Sequence, residues 1–327
     1  YMKRENWIDW AKAVGILFVV MGHSSYACED VGRMIYMIHM PLFFFISGYL
    51  FKTDKNYKEL FLNSWKSLCV PYIYYNLLFA IFTICTRMVK LLMGSDVDWT
   101  FSFFNPLWHS LLGVANGIFD GPTWFLLALV WCKFFTYALH TNESVYKKVG
   151  LLCLWGILFT VRILCGIQFV FAIDCALAGF IWFEIGHLIK LNIGRFIYYP
   201  SWCWILLVFV GFFVCYKLMQ INGQCNYIMA DVKGGLGIVA TGMGLIGFFS
   251  LCKLLNGVNS KIVLRISKAS IVIMCVHMLI QGPLESIIHY QGNIIITIVG
   301  DIFIVLVLTA IYPIVQKYVP VLVGGRK

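Results

Sequence analysis

Ten runs of predominantly apolar residues, each about 17 to 25 positions long, follow one another along the chain with short polar breaks between them. They cover roughly 8–28, 35–51, 68–92, 122–140, 149–166, 168–189, 196–218, 234–255, 269–288 and 293–315. Each is long enough to cross a bilayer core as a helix, and none shows the strict alternation of a lipid-facing barrel strand. The expected fold is therefore an all-α polytopic membrane protein of about ten transmembrane helices, with 1–327 a single integral-membrane domain. A further apolar stretch, 101–119, is interrupted by Asn105-Pro106 and reads as interfacial or re-entrant.

The polar positions that break the runs from within carry the chemistry. The first run, in "RENWIDWAKAVGILFVVMGHSSY", holds Asp9, Lys12 and His23. At about 100° and 1.5 Å per residue, Lys12 and His23 fall within about 20° of each other and roughly 16 Å apart along the axis. Asp9 lies about 60° from Lys12, so the three groups share one stripe. Ionisable groups at bilayer depth are expensive and normally face a protein interior or a wet cavity. The bland reading is an Asp9–Lys12 ion pair and a packed His23. The second run adds His39 in "MIYMIHMPLFFFISGYLF", and the midpoint of 23 and 39 falls in the turn after Asp30. The two histidines are thus expected at matching depth, as base and orienter or as two contacts for a hydroxylated ligand. Zinc would need further ligands, which do not cluster with them in sequence.

Composition sharpens this picture. Charged residues make up 12% of the chain, about half the share usual in soluble domains, and mean hydropathy is +0.84, so the runs belong in lipid. The formal charge of +10 reads as a topology signal, not a nucleic-acid surface. Lys3, Arg4, Lys52, Lys55, Lys58, Lys66, Lys147, Lys148, Lys190, Arg195, Lys261, Arg265, Lys268, Lys317, Arg326 and Lys327 fall at alternate ends of the runs. The other ends carry Glu29, Asp30, Asp96, Asp98, Asp120 and Asp231. By the positive-inside rule both termini are expected on the cytoplasmic side. The first run carries charges that a cleavable signal core excludes, so no signal peptide is expected. The 12 cysteines read as core fillers, with Cys28 and Cys225 as a conceivable outer-face pair.

The spacing Lys12-x10-His23, with Ile8-Asp9 before it and "HMPLFFFISGYLF" after it, resembles the acyltransferase 3 family of polytopic bacterial membrane enzymes. The likeness continues through "GPTWFLLAL" (121–129), "AIDCALAGFIWFEIGHLIK" (172–190) and "SIVIMCVHMLI" (270–280). Lys12 stands where the family usually has Arg, and Met274 where it often has Tyr. The resemblance implies a multi-pass protein of the bacterial inner membrane. It also implies transfer of an acyl group, most often acetyl from acetyl-CoA, to a hydroxyl of a surface, lipid-linked or exopolysaccharide glycan. His23 takes the role of general base in that scheme. Expected partners are acyl-CoA, the glycan or lipid-linked sugar and membrane lipid, with no nucleic acid and no metal.

Acyl transfer needs deprotonation of the hydroxyl, polarisation of the thioester and exclusion of water. Lys12 and Asp9 lie three to four turns from His23 and suit the mouth of a channel for the pantetheine arm of CoA. Asp174 is expected either to pair with Arg162 or to join the catalytic set with His39. His277 and Ser270, seven apart on one helical face, are expected to line the site. Trp124 reads as an aromatic face for a sugar or as part of an interfacial belt. A proton-coupled transporter or flippase of a small anion or glycan precursor is the alternative, since it too would bury charges and histidines.

Overall fold

The computed structural model describes residues 5–24, 29–54, 56–192, 200–288 and 294–324. Lys3, Arg4, Lys55, Arg195, Arg326, Lys327 and Cys28, named above, lie outside these described residues. The helices are α1 (Asn6–His23), α2 (Glu29–Tyr49), α3 (Tyr57–Ser64), α4 (Val70–Leu92), α5 (Asn105–Leu112) and α6 (Trp124–Thr141). They continue as α7 (Val145–Cys165), α8 (Ile173–Leu191), α9 (Ser201–Asn222), α10 (Gly234–Leu254), α11 (Lys261–Ile288) and α12 (Ile294–Tyr318). A π-turn, Trp65–Cys69, fuses α3 and α4 into one span, Tyr57–Leu92. Among the described residues there is no strand, only an isolated bridge between Asn226 and Asp231.

Nine helical spans among the described residues are long and apolar enough to cross a membrane, and they fall on nine of the ten apolar runs. The tenth run is α1, helical as expected and carrying Asp9, Lys12 and His23. In the stretch 101–119 the break expected at Asn105-Pro106 is absent: a π-turn, Thr100–Phe104, runs directly into α5, and Pro106 lies just after that turn. Asp120 lies between two runs, in the bend before Gly121, and is fully buried there.

The chain divides into two compact units, Tyr1–Phe51 with Ile181–Asn226 and Asp231–Ile314, and Lys52–Phe180 with Tyr227–Ala230 and Val315–Lys327. In the first, α1 packs against α2, α10 and α11, and α9 runs along α10. Glycine lets the helices of this unit meet backbone to backbone. A Cβ on Gly48 of α2 would collide with the carbonyl oxygen of Phe183, and one on Gly186 with that of Phe45. Gly211 of α9 faces Gly247 of α10, where a Cβ would stand 2.6 Å from the Gly247 nitrogen. Membrane helices lack a hydrophobic drive to associate with one another, so such close contact supplies much of their cohesion.

At one end of this unit Lys190 and Lys253 stand beside Glu5 and Trp7. Glu5 accepts hydrogen bonds from Tyr49 Oη (2.7 Å), Trp7 Nε1 (2.8 Å) and Lys190 Nζ (2.9 Å). Burial pushes the Glu5 carboxyl up, but these three bonds and the Lys190 charge together hold it below its ordinary value. Lys253 stands over the Trp7 ring at 4.4 Å, and Trp7 N–H donates to Asn256 Oδ1.

Candidate active site

Three histidines meet at the other end of α1. His23 is the last residue of that helix and is half-buried. Its ring lies 5.2 Å, centre to centre, from the ring of His277 on α11. His39 of α2 faces the same turn: its Cε1 is 4.0 Å from where a Cβ on Gly22 would be. The edge of the His39 ring meets Tyr36 at 5.2 Å.

Backbone carbonyls fix two of these rings. His277 Nδ1 lies 2.9 Å from the Ile273 oxygen and 2.8 Å from that of Met274, and His39 Nδ1 lies 2.7 Å from the Ile35 oxygen. A carbonyl oxygen can only accept, so each Nδ1 carries the hydrogen. In the neutral ring the lone pair is then on Nε2. Nε2 of His277 has no partner, and the residue is 0% exposed. Such a group can accept a hydrogen bond or a proton from something that enters. Among the described residues, no group of three or more His, Cys, Asp or Glu side chains is placed to hold a metal ion.

A hydrogen-bonded set adjoins His23 that the sequence reading missed. Ser24 Oγ donates to Asp301 of α12, at 2.8 Å from Oδ1 and 2.7 Å from Oδ2. Gln281 Nε2 of α11 donates to Ser24 Oγ (2.8 Å) and to the Val20 carbonyl (3.1 Å). Asp301 is 0% exposed. A lone aspartate in the last apolar run was the available signal, because intramembrane carboxylates are rarely idle.

The opposite end of α1 holds the residues expected at the donor mouth. Asp9 accepts a hydrogen bond from Ser267 Oγ (2.8 Å), and Lys12 is half-buried. A cavity of about 290 Å³ opens here, lined by Asn6, Asp9, Trp10, Asn259 and Lys261 among others. Ser270 is one turn of α11 beyond the Asp9 contact and donates to the Ser267 carbonyl at 2.8 Å. The stripe thus separates into two regions: Asp9, Lys12 and Ser270 toward the cavity end, and His23, His39 and His277 at the other.

Asp174 and Trp124 belong to the second unit. Asp174, 1% exposed by side chain, accepts from Arg162 Nε at 3.3 Å, and Arg162 Nη2 also donates to the Met229 carbonyl at 2.7 Å. The ion pair expected between Arg162 and Asp174 is present. Trp124 is buried in the core of this unit, edge-on to Phe125. Beside it, Asn76 Oδ1 accepts from Ser110 Oγ (3.1 Å) and Asp120 N–H (3.2 Å), while its Nδ2 donates to Thr123 Oγ1 (3.0 Å). The Asp120 carboxylate itself has no hydrogen-bond partner.

A family model described as an acyltransferase domain matches residues 5–315, nearly the whole chain. No curated protein and no solved structure matches it.

Proposed function

The chain belongs to the acyltransferase-domain family, and from that premise we propose that it moves acetyl from cytoplasmic acetyl-CoA to a hydroxyl of an envelope, lipid-linked or exopolysaccharide glycan. It is a multi-pass membrane acyltransferase; the donor, the acceptor and the roles below are our reading. His23 takes the hydroxyl proton as the oxygen attacks the thioester carbonyl. The tetrahedral intermediate then expels CoA thiolate, which recovers the proton from His23, so the products are ester and free thiol. His277 accepts a hydrogen bond through its bare Nε2 from a second hydroxyl of the glycan, beside the one that gives its proton to His23, and His39 supports the same pocket. Lys12 and Asp9 line the path of the donor's long thin arm, with its polyanionic head at the lysine-bearing end.

The observation that carries this reading is the layout of α1. Its one end opens on a cavity that holds Asp9 and Lys261, and its other end sets His23 beside a buried imidazole with a free acceptor nitrogen. Lys12 and His23, on one stripe about 16 Å apart, join the two.

The test is transfer by purified protein in detergent, following CoA thiol release and acetyl on an added glycan. His23→Gln keeps size and hydrogen bonding but cannot take the proton. It is expected to lower turnover about 10²- to 10⁴-fold with acetyl-CoA binding unchanged within a few-fold. A folded His23→Gln protein that turns over at the wild-type rate overturns the assignment. A transporter would neither hydrolyse acetyl-CoA nor transfer its acetyl group.

A further inference from the structure

We propose that Asp301 is the positioning residue for His23, acting through Ser24 and Gln281. The inference rests on the reading of His23 as base and extends it to a carboxylate that reading does not use.

His23 occupies an insecure place. It is the final residue of α1, and at Ser24 the backbone has already left the helix (φ −65°, ψ 139°). The last four carbonyls of a helix have no intrahelical partner, and such ends fray. A base must be held to within a fraction of an ångström to meet its proton. An unanchored terminal turn does not offer that.

The hydrogen bonds around it account for each donor. Gln281 has two N–H groups: one goes to the Val20 carbonyl, an orphan of the last turn, and the other to Ser24 Oγ, with Asp301 Oδ1 at 3.3 Å sharing it. Ser24 has one O–H, which points between the two oxygens of Asp301. Its local alternative, the Val20 carbonyl at 3.5 Å, is at the limit of a bond. Asp301 therefore draws the hydroxyl outward while Gln281 takes over the carbonyl, and the residues on both sides of His23 are tied to α11 and α12.

The same helix sets the second ring. Gln281 lies four residues beyond His277, on the same face of α11. One helix thus grips the backbone of the His23 turn and supplies the imidazole 5.2 Å from the His23 ring. If only cohesion were needed here, apolar side chains would serve better than a carboxylate taken out of water. A charged acceptor holds a hydroxyl more strongly and in a narrower geometry than a neutral one.

The experiment measures kcat and KM for acetyl-CoA, together with melting temperature in detergent, for Ser24→Ala, Ser24→Thr, Asp301→Asn and His23→Gln. Ser24→Ala and Asp301→Asn are expected to lower kcat by about 100-fold with KM and melting temperature near wild type. Ser24→Thr, which keeps the hydroxyl, is expected to retain most of the rate. If Asp301→Asn fails to fold, Ser24→Ala carries the test alone, since it deletes a single hydroxyl. Ser24→Ala protein that turns over normally, or that loses melting temperature and kcat together without rescue by Thr, overturns the proposal. An inactive His23→Gln beside an active Ser24→Ala sinks the clamp and leaves the base; an active His23→Gln sinks the base itself.

Discussion

The rings of His23 and His277 stand 5.2 Å apart with their planes at 45°, and they differ in what they can do. His277 is fully buried, its Nδ1–H is committed to two carbonyls, and its Nε2 is bare. It is built to receive a hydrogen bond. His23 is half-buried and keeps part of its surface exposed.

His277→Phe keeps a flat ring of similar volume and removes the acceptor. Loss of one hydrogen bond from a second glycan hydroxyl is expected to weaken glycan use roughly tenfold, by about 1 to 1.5 kcal/mol. Acetyl-CoA affinity should not change. Steady-state kinetics with each substrate varied in turn checks this, and an effect on the donor alone would remove His277 from the acceptor site.

At the far end of the stripe, Lys12 has a different expected signature. Lys12→Ala should raise KM for acetyl-CoA with little change in kcat, because the lysine binds the donor equally before and during reaction. Lys12→Arg keeps the charge and should stay active. Donor affinity measured by titration decides the matter, and an unchanged value in folded Lys12→Ala protein refutes the channel reading.

The spans were legible because an apolar run of transmembrane length has few other uses, and the stripe was legible because helical period is arithmetic. Pairings between distant segments were not. Nothing local to Ser24 points to Asp301, which lies 277 positions away. The burial of Asp120 was hidden for the same reason: it lies between two apolar runs, as its position suggests, but Asn76, from another helix, bonds its backbone there. The break expected at Asn105-Pro106 is absent because a π-turn, Thr100–Phe104, carries the helix into it, and no local sequence signal announces such a turn. Arg162 and Asp174 were readable as a pair because the turn between α7 and α8 brings them to similar depth.

Breaking that pair tests its role. Asp174→Asn leaves the Arg162 guanidinium buried without its counter-charge, and loss of one partner of a buried pair costs about 3–5 kcal/mol. Thermal unfolding in detergent should show the deficit. Turnover per folded molecule should remain near wild type. A variant that melts normally but does not transfer would place Asp174 in the catalytic set after all.

Asp120 gives a pH test with a definite sign. The residue is 0% exposed, both carboxylate oxygens are without a partner, and it lies just before the span that begins at Gly121. Burial pushes its pKa well above 3.8, because the charged form is taken out of water with nothing to replace the lost hydration. The folded protein therefore holds the Asp120 proton more tightly than the unfolded chain does. Its contribution to stability is full below about pH 4 and is lost as pH rises toward the folded-state value. Asp120→Asn has nearly the same shape, stays neutral throughout and escapes that loss. The melting temperature of Asp120→Asn, minus that of wild type, should rise as pH is taken from about 4 to neutral. A series of melts in detergent across that range measures it. A difference that is flat with pH, or that moves toward wild type as pH rises, would mean that the carboxylate is ionised in the fold and has found a cationic or hydrogen-bonding partner.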